Sequence, residues 1–444
     1  MTGSARRPRG GVMNRSMTVA RHATKPRRLA LPALIAASAL IVAACGSSGG
    51  GGSSASGSGS SGGTVHLGFI STLSGPLAEI GDDMLDGAKV AVEQVNAAGG
   101  VDGGKKLVLD AKDDQLTPAT AAADARSLVN SGDKLILGML DSSVCLAVAP
   151  VVQSLGGDTI GSVCSSDPLV GPKRVAKNYW SLAVTNSVSC AALAKVIAKQ
   201  YPDIKTVDIF GYDYITGHEI ATECIKDMQS DGLGLTVDKQ YFVPLASETY
   251  TAQISALSQA LTGPSKGRAL FLATYGAGTT AFLKQAAPFH LTSKFEAVIT
   301  NGGYVTSGEA LNGSAPSVWD AYEYYPTVAN NALNTKFVQQ YDALKPADHF
   351  PNDWSYDTYM SVLAYAKAID KAKSAAPAAV AAAMDKVTIP GPLGTIKFDP
   401  STHESTTPTL VFQTVGDASS SSKLSLLKWD LVNPLTNQIA SSGP

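Results

Sequence analysis

The chain has 444 residues, 44% of them hydrophobic, with 35 basic and 37 acidic side chains, and a chain of that length exceeds what one hydrophobic core usually supports. The balance is uneven: residues 1–44 hold eight of the basic residues and no acid, which leaves 27 against 37 in the remainder, a formal charge near −10. That sign excludes the basic footprint a nucleic acid needs and suits a protein kept soluble by its own charge.

The N-terminus decides the compartment. Arg6, Arg7, Arg9, Arg15, Arg21, Lys25, Arg27 and Arg28 precede an uncharged apolar run, Leu29 to Ala44, that ends in Val42-Ala43-Ala44-Cys45. A basic stretch, a short apolar stretch and small residues before a cut site are the layout of a secretory signal. The run is shorter than the roughly 20 apolar residues a spanning helix needs. The small residues before Cys45 resemble a lipobox, the bacterial signal for lipid transfer to a Cys thiol. Gly46 to Gly63 contains only Gly, Ser and one Ala, the composition of a flexible tether. Residues 1–44 therefore read as a signal peptide, Cys45 as the lipidated residue, 45–63 as a tether, and the protein as extracytoplasmic and anchored to the cell membrane. Arg27-Arg28 leave both the general secretory route and twin-arginine export open.

Beyond the tether, short β-rich runs alternate with longer amphipathic ones. Val65–Ser71 reads as a strand and Asp82–Ala97 as a helix, with Met84, Leu85, Ala88, Ala91, Val92 and Val95 on one face. Gly99-Gly100 ends it. Lys106–Lys112, Leu135–Leu140, Thr159–Val163 and Trp180–Val184 read as strands, with helices at Pro118–Asn130, after Leu140 and at Val188–Gln200. A second series runs through strands Thr206–Phe210, Thr236–Val243, Ala269–Ala273 and Ala297–Thr300. Its helices are Gly217–Asp231, Ala252–Leu261 and Thr279–Phe289. Thr335–Leu344, Thr358–Ser374 and Ala375–Lys386 read as helices, and Thr409–Thr414 and Leu424–Leu431 as short strands. The alternation requires crossovers, hence mainly parallel sheets flanked by helices, and two series imply two lobes.

Ligands of such sheets bind beyond the carboxyl ends of the strands. Three loops there stand out: Asp141-Ser142-Ser143, Cys164-Ser165-Ser166-Asp167 and Gly211-Tyr212-Asp213-Tyr214. The first two offer hydroxyls and free backbone N–H groups to a carboxylate; as plain N-caps they would serve only their helices. Cys145, Cys164, Cys190 and Cys224 read as two disulfides in an exported protein, in any of three pairings.

With these loops placed, the chain resembles the branched-chain amino acid type of periplasmic binding protein, the type I solute-binding proteins of ABC transporters. The resemblance rests on SGPLAEIG (Ser74–Gly81), on DGAKVAVEQVNAAGGV (Asp86–Val101), and on Asp113-Asp114-Gln115 followed by Pro118. Weaker matches follow in order: LILGMLDSS, Phe210–Thr216, Thr300–Tyr304, SYDTYMSVLAYAKAI and GPLGTIKFDP. They span nearly all of residues 64–435. The resemblance implies two Rossmann-like lobes hinged by three crossovers, with lobe 1 at 64–184 plus 326–395, lobe 2 at 185–325 plus 396–435, and a tail at 436–444. It implies a carboxylate seat at Ser142, Cys164 and Ser166, and a pocket side chain at Ile80 before the first long helix. In lobe 2 it implies Tyr275, Thr216 and the nearby Tyr214. The family's ammonium-binding carboxylate falls at Asn301-Gly302, where no acid stands, so Asp213 or Glu323 would have to take that part, or the ligand carries no ammonium. Tyr304 and Tyr356 would enclose the ligand with Tyr214 and Tyr275. The family's common lobe-1 disulfide would need Cys at Leu116 and Asp141. The pairs expected instead are Cys145–Cys164, whose loops leave neighbouring strands of lobe 1, and Cys190–Cys224, joining two helices of lobe 2.

Catalytic patterns are weak. Gly59-Ser60-Ser61-Gly62-Gly63 fits a G-x-S-x-G search but lies in the tether with no strand before it. Gly99 to Gly104 with Lys105 approaches a P-loop, yet Lys106 stands where a Ser or Thr must bind magnesium. The six histidines form no metal-ligand spacing. The expected function is a solute-binding lipoprotein for an importer, taking an amino acid, amide or small carboxylate. It would act as a monomer with an ABC permease as partner, without catalysis, cofactor, metal or nucleic acid. The alternative is a ligand-sensing partner of a membrane receptor with the same fold.

Overall fold

A computed structural model describes residues 62–245, 247–345 and 351–443; the basic leader, Cys45 and most of the tether lie outside them. The first series is β1 (Thr64–Ser71), α1 (Ala78–Ala97), β2 (Lys106–Asp113), α2 (Pro118–Ser131), β3 (Leu135–Gly138), α3 (Ser142–Ser154), β4 (Asp158–Gly161) and β5 (Tyr179–Ser181). Its five strands form an all-parallel sheet in the order β2-β1-β3-β4-β5. The four residues of β3 are all buried, as in a strand covered on both faces.

The second series is α4 (Asn186–Gln200), β6 (Thr206–Tyr212), α5 (Ile215–Ser230), β7 (Thr236–Val243), α6 (Thr251–Ala260), β8 (Arg268–Ala273), α7 (Gly276–Ala286), β9 (Ala297–Thr300), α8 (Tyr304–Glu309) and β10 (Val318–Tyr322). Then come α9 (Ala332–Asp342), α10 (Asp353–Ala372), α11 (Pro377–Met384), a hairpin of β11 (Ile389–Gly391) and β12 (Gly394–Ile396), and β13 (Thr409–Gly416), β14 (Leu424–Asn433) and β15 (Gln438–Gly443). The second sheet has eight strands, β15-β14-β13-β10-β9-β8-β6-β7; β7 to β10 run parallel and the last three antiparallel. Two lobes result, one on each sheet. The chain passes between them after β5, after β10 and before β13.

The return of the chain after β10 is fixed by packing. Helix α10 lies along α1, so closely that a Cβ on Gly87 would stand 2.0 Å from the Ser355 carbonyl oxygen. Only glycine allows that approach. The start of α10 is a capping box: Asn352 accepts from the Ser355 N–H at 3.0 Å, and the Ser355 hydroxyl accepts from the Asn352 N–H at 3.0 Å.

Several elements depart from the sequence reading: α8 and the β11–β12 hairpin answer to no predicted element, and α10 begins five residues before the expected Thr358. Strand β10 carries Asp320 inside a buried run, which breaks its apolar pattern; the carboxylate accepts from Thr300 Oγ1 at 2.7 Å, Gly302 N at 3.1 Å and Tyr304 N at 2.8 Å, and so starts α8. Residues 438–443, read as tail, form β15, an edge strand paired only to β14. Helix α1 begins four residues before the expected Asp82, which takes Ile80 into its first turn. Disulfides join Cys145 to Cys164 and Cys190 to Cys224. The first ties α3 to the loop after β4; the second ties α4 to α5. Among the described residues no helix is long and apolar enough to cross a membrane.

Candidate functional site

A narrow cavity of about 30 Å³ lies between the lobes. Lobe 1 supplies Leu140, Ser142, Val163 and Ser165; the first crossing segment supplies Val184, Asn186 and Ser189. Lobe 2 supplies Tyr214, Thr216, Ile220, Tyr275, Asn301 and Gly302, and the hinge side supplies Tyr322, Glu323 and Trp354. Most of these stand one to four residues past a strand or at the start of α3, α4, α5 or α7, where parallel sheets gather loops and helix N-termini.

The lobes already touch around the cavity. Ser166 Oγ donates to Glu219 Oε1 on α5 at 2.8 Å, and Asn186 Nδ2 donates to Glu219 Oε2 at 2.8 Å. Gly276 opens α7 at a φ of +57°, and a Cβ there would stand 2.7 Å from Ile80 Cδ1 on α1. Glycine thus meets both the left-handed backbone and the close approach.

On the lobe 1 wall, Ser142 is the first residue of α3. The N-terminus of that helix is taken: the Asp141 carboxylate accepts from Ser143 N at 2.7 Å and Val144 N at 3.4 Å. Burial raises the Asp141 carboxyl above its usual range, and its charge reaches the Tyr214 and Tyr275 hydroxyls. Ser142 Oγ accepts from Ser166 N at 3.3 Å.

On the opposite side the polar groups are less satisfied. Asn301 Nδ2 donates to Ser189 Oγ at 3.0 Å, which leaves Oδ1 buried without a partner. Glu323 is fully buried. Its Oε1 accepts from Val184 N at 2.8 Å, and its Oε2 has no hydrogen-bond partner. Burial, then the neighbouring acids, push its carboxyl up to about 8, against the Val184 hydrogen bond. A chain of rings runs across this side: Tyr214 to Tyr275 at 6.3 Å between centroids, Tyr275 to Trp354 at 5.9 Å, Trp354 to Tyr322 at 5.2 Å. The Trp354 Nε1–H is buried and unpartnered.

Of the residues singled out in the sequence, Ser142, Tyr214, Thr216, Tyr275 and Asn301 line the cavity. Cys164 is held in its disulfide and Ser166 is spent on Glu219; their neighbour Ser165 lines the cavity instead. Ile80 faces α7 because α1 starts early. Asp213 is 64% exposed, and its side chain pairs with His218 Nε2 at 2.8 Å, outside the cavity. Tyr356 stacks on Tyr324 at 4.6 Å in the core, and Tyr304 is buried at the start of α8; neither is among the lining residues. Of the two acids weighed as replacements for the missing one, Glu323 is the one at the cavity. Ser165 stood in one of the three loops read from the sequence, while Ser189, Tyr322 and Trp354 had no place in that reading; the aromatic run around Glu323 and the Trp before the Ser-Tyr-Asp segment were the available signals.

Comparison with known proteins places the whole. The family model for a periplasmic binding protein matches residues 64–419. The chain belongs to the periplasmic binding protein family. A curated relative from Pseudomonas aeruginosa, the leucine-, isoleucine-, valine-, threonine- and alanine-binding protein, is 28% identical over 340 residues, 76% of this chain and 86% of the relative. Solved structures share the fold. A solute binding protein of an ABC transporter from Rhodopseudomonas palustris BisB5, in complex with 3,4-dihydroxybenzoic acid, has a TM-score of 0.73 at 21% identity, covering 84% of this chain and 98% of that one. A leucine binding protein from Thermotoga maritima has a TM-score of 0.68 at 19% identity, covering 84% and 99%. This chain is therefore a solute-binding protein of type I fold, a family that works outside the cytoplasm.

Proposed function

We propose that the protein is the lipid-anchored capture subunit of an ABC importer, holding a small polar solute in the cavity between its lobes. The class proposed is an amino acid, amide or small carboxylate. The observation that carries the reading is the cavity itself, an aromatic wall with a few polar groups that converge on one space. A solute touching Ser142 and Ser165 on one side and Tyr275 and Asn301 on the other favours the closed arrangement of the lobes, and the permease is the partner that reads it. The protein acts as a monomer and carries out no chemistry on its cargo.

Trp354 gives a direct readout. Titration of amino acids, amides and small carboxylates should change its fluorescence and raise the melting temperature by mass action. Tyr275→Ala should abolish both responses; a ligand that shifts melting but ignores that substitution would place the binding site elsewhere. The anchor is tested separately: Cys45→Ala should release the protein to the medium, and continued membrane retention would remove the lipoprotein reading.

A further inference from the structure

We infer that His66, Asp110 and Asp133 form a binding site for one divalent transition-metal ion, zinc being the ion their donors suit. The site lies toward the amino ends of β1 and β3, whereas the interlobe cavity lies past the carboxyl ends of the same sheet. The two are independent, and neither reading needs the other.

Three chain segments bring the donors together. Leu67 of β1 pairs with Leu109 of β2 and with Leu135 of β3. Side chains alternate along a strand, so His66 and Asp110, one position to either side of that row, share the face opposite to it. Asp133 comes from the turn that ends α2. Gly132 takes a φ of +112° there, and the Asp133 N–H donates to the Leu128 carbonyl at 3.0 Å. One imidazole nitrogen and one oxygen from each carboxylate lie within 4.8 Å of one another. No local spacing in the sequence shows the set, because the sheet assembles it.

The imidazole is oriented as a ligand. His66 Nε2 lies 3.2 Å from Thr64 Oγ1, while Nδ1 lies 2.6 Å from Asp110 Oδ2 and 4.0 Å from Asp133 Oδ1. With Nε2–H donating to Thr64, the Nδ1 lone pair faces both carboxylates. A metal-bound histidine is held in this way, by a second group on its far nitrogen. Tetrahedral zinc, with bonds of about 2.0–2.2 Å, sets its ligand atoms roughly 3.3 Å apart, between the two distances found here.

Asp133 supplies the independent observation. Its side chain is only 10% exposed. Among the described residues its carboxylate accepts no hydrogen bond, and His66 Nδ1 at 4.0 Å is too distant to donate one. Burial, then the Asp110 charge, raise its carboxyl against the charges of His66 and Lys112. Buried carboxylates ordinarily have donors, and an ion between Asp133 and Nδ1 supplies what this one lacks. Access is open. His66 and Asp110 are partly exposed, beside a groove of about 530 Å³. Lys105 at its edge is turned to Asp102 at 2.6 Å. Three protein ligands leave a position for water. Imidazole with carboxylate suits zinc, copper or nickel, whereas calcium takes oxygen alone.

The competing explanation is a plain surface pair of His66 and Asp110, of the kind that contributes little. It leaves the bare Asp133 carboxylate without a reason.

The test is calorimetric titration of the full chain, free of any histidine tag and stripped of metal with a chelator. Zinc chloride is the probe and calcium chloride the contrast. The expected result is one zinc ion per chain, calcium at least about tenfold weaker, and a melting temperature that rises with zinc concentration by mass action. His66→Ala and Asp133→Asn should each weaken zinc by at least about tenfold, the smallest loss that removing even a supporting group brings. Melting curves without zinc check the fold of both variants; if Asp133→Asn unfolds, His66→Ala, at a more exposed position, carries the test. No binding of zinc would overturn the inference. So would zinc affinity within twofold of the parent in the folded variants, which would put the ion on other residues, or calcium held as tightly as zinc, which would leave the imidazole without a part.

Discussion

The two walls of the cavity solve the problem of buried polarity differently. On the lobe 1 wall most groups are paired within the protein: Asp141 caps α3 through Oδ1, Ser142 Oγ receives the Ser166 N–H, and Ser166 Oγ reaches Glu219, while Asp141 Oδ2 stays without a partner. On the lobe 2 and hinge wall, Asn301 Oδ1, Glu323 Oε2 and the Trp354 indole N–H are buried and unpaired. Buried polar groups in proteins are satisfied as a rule. Thr216 Oγ1 and the Tyr275 hydroxyl on this wall are also unpaired, so the wall breaks the rule at five points and is where a ligand is expected to complete the hydrogen bonding. Hydroxyl-rich loops, the most visible signal in the sequence, thus stand on the side with fewer unpaired groups.

The largest consequence is a dependence of stability on pH. Glu323 has its carboxyl pushed up to about 8 from an ordinary 4.5. Between those values the folded chain keeps the proton that the unfolded chain gives up, so ligand-free stability falls as pH rises through that window and levels off above it. The groups that face it, Asp320, Glu404, Asp353 and Asp357, are all acids raised in the same direction, mainly by burial. None offsets the sign. At about 1.4 kcal/mol per unit the effect of Glu323 amounts to several kcal/mol. Melting temperatures of the ligand-free protein at pH 5, 6.5 and 8 should fall in that order, and the Glu323→Gln protein should fall less. Parallel curves for the two proteins would show that Glu323 titrates as an ordinary carboxyl.

A smaller effect should come from editing the lobe 1 wall. Asp141→Asn keeps an oxygen for the Ser143 and Val144 N–H groups while removing the charge that occupies the start of α3. Stability should change by no more than about 1 kcal/mol, the usual size of a cap. Benzoate binding should improve by up to about tenfold, as expected when a negative charge next to an anion is removed. Titration with benzoate, followed by Trp354 fluorescence, reads the change. An unchanged affinity would mean that the walls differ in shape and not in charge.

The lobes were legible because alternation with short turns is a local property. Strand–helix repeats from Thr64 to Thr300 need only the periods of two and 3.6 to be seen. Strand β10 was hidden because Asp320 interrupts its apolar run, and the purpose of that acid, three hydrogen bonds from the β9–α8 turn and its flanks, exists only once the sheet is assembled. The site followed the same division. Ser142 and Tyr214 stand in loops that follow strands, whereas Thr216, Tyr275 and Asn301 came from the resemblance to the binding-protein family; all five line the cavity. Trp354 and Tyr322 come to the cavity from the hinge side, through chain crossings that no local pattern encodes. Ile80, expected ahead of the first long helix, stands in its first turn because that helix begins at Ala78 without a side-chain cap. Asp213 and Glu323 are not separable from the residues alone, since both are acids among tyrosines and the strand before Glu323 is hidden.

That last pair gives the smallest effect and the sharpest control. Asp213 and Glu323 differ in surroundings, not in chemistry. Asp213 is 64% exposed and lies 2.8 Å from a His218 ring that is 49% exposed, so water screens the field it casts toward the cavity. Glu323 is sealed from water and unpaired at Oε2. Asp213→Asn should therefore leave ligand affinity within about twofold and stability within about 0.5 kcal/mol, as for an ordinary surface change, under the conditions in which Glu323→Gln weakens binding. Titration calorimetry with the same ligand on both variants decides it. Equal losses in the two would place a polar partner of the ligand at the loop after β6, on the rim of lobe 2, and the contrast between the two walls would fail.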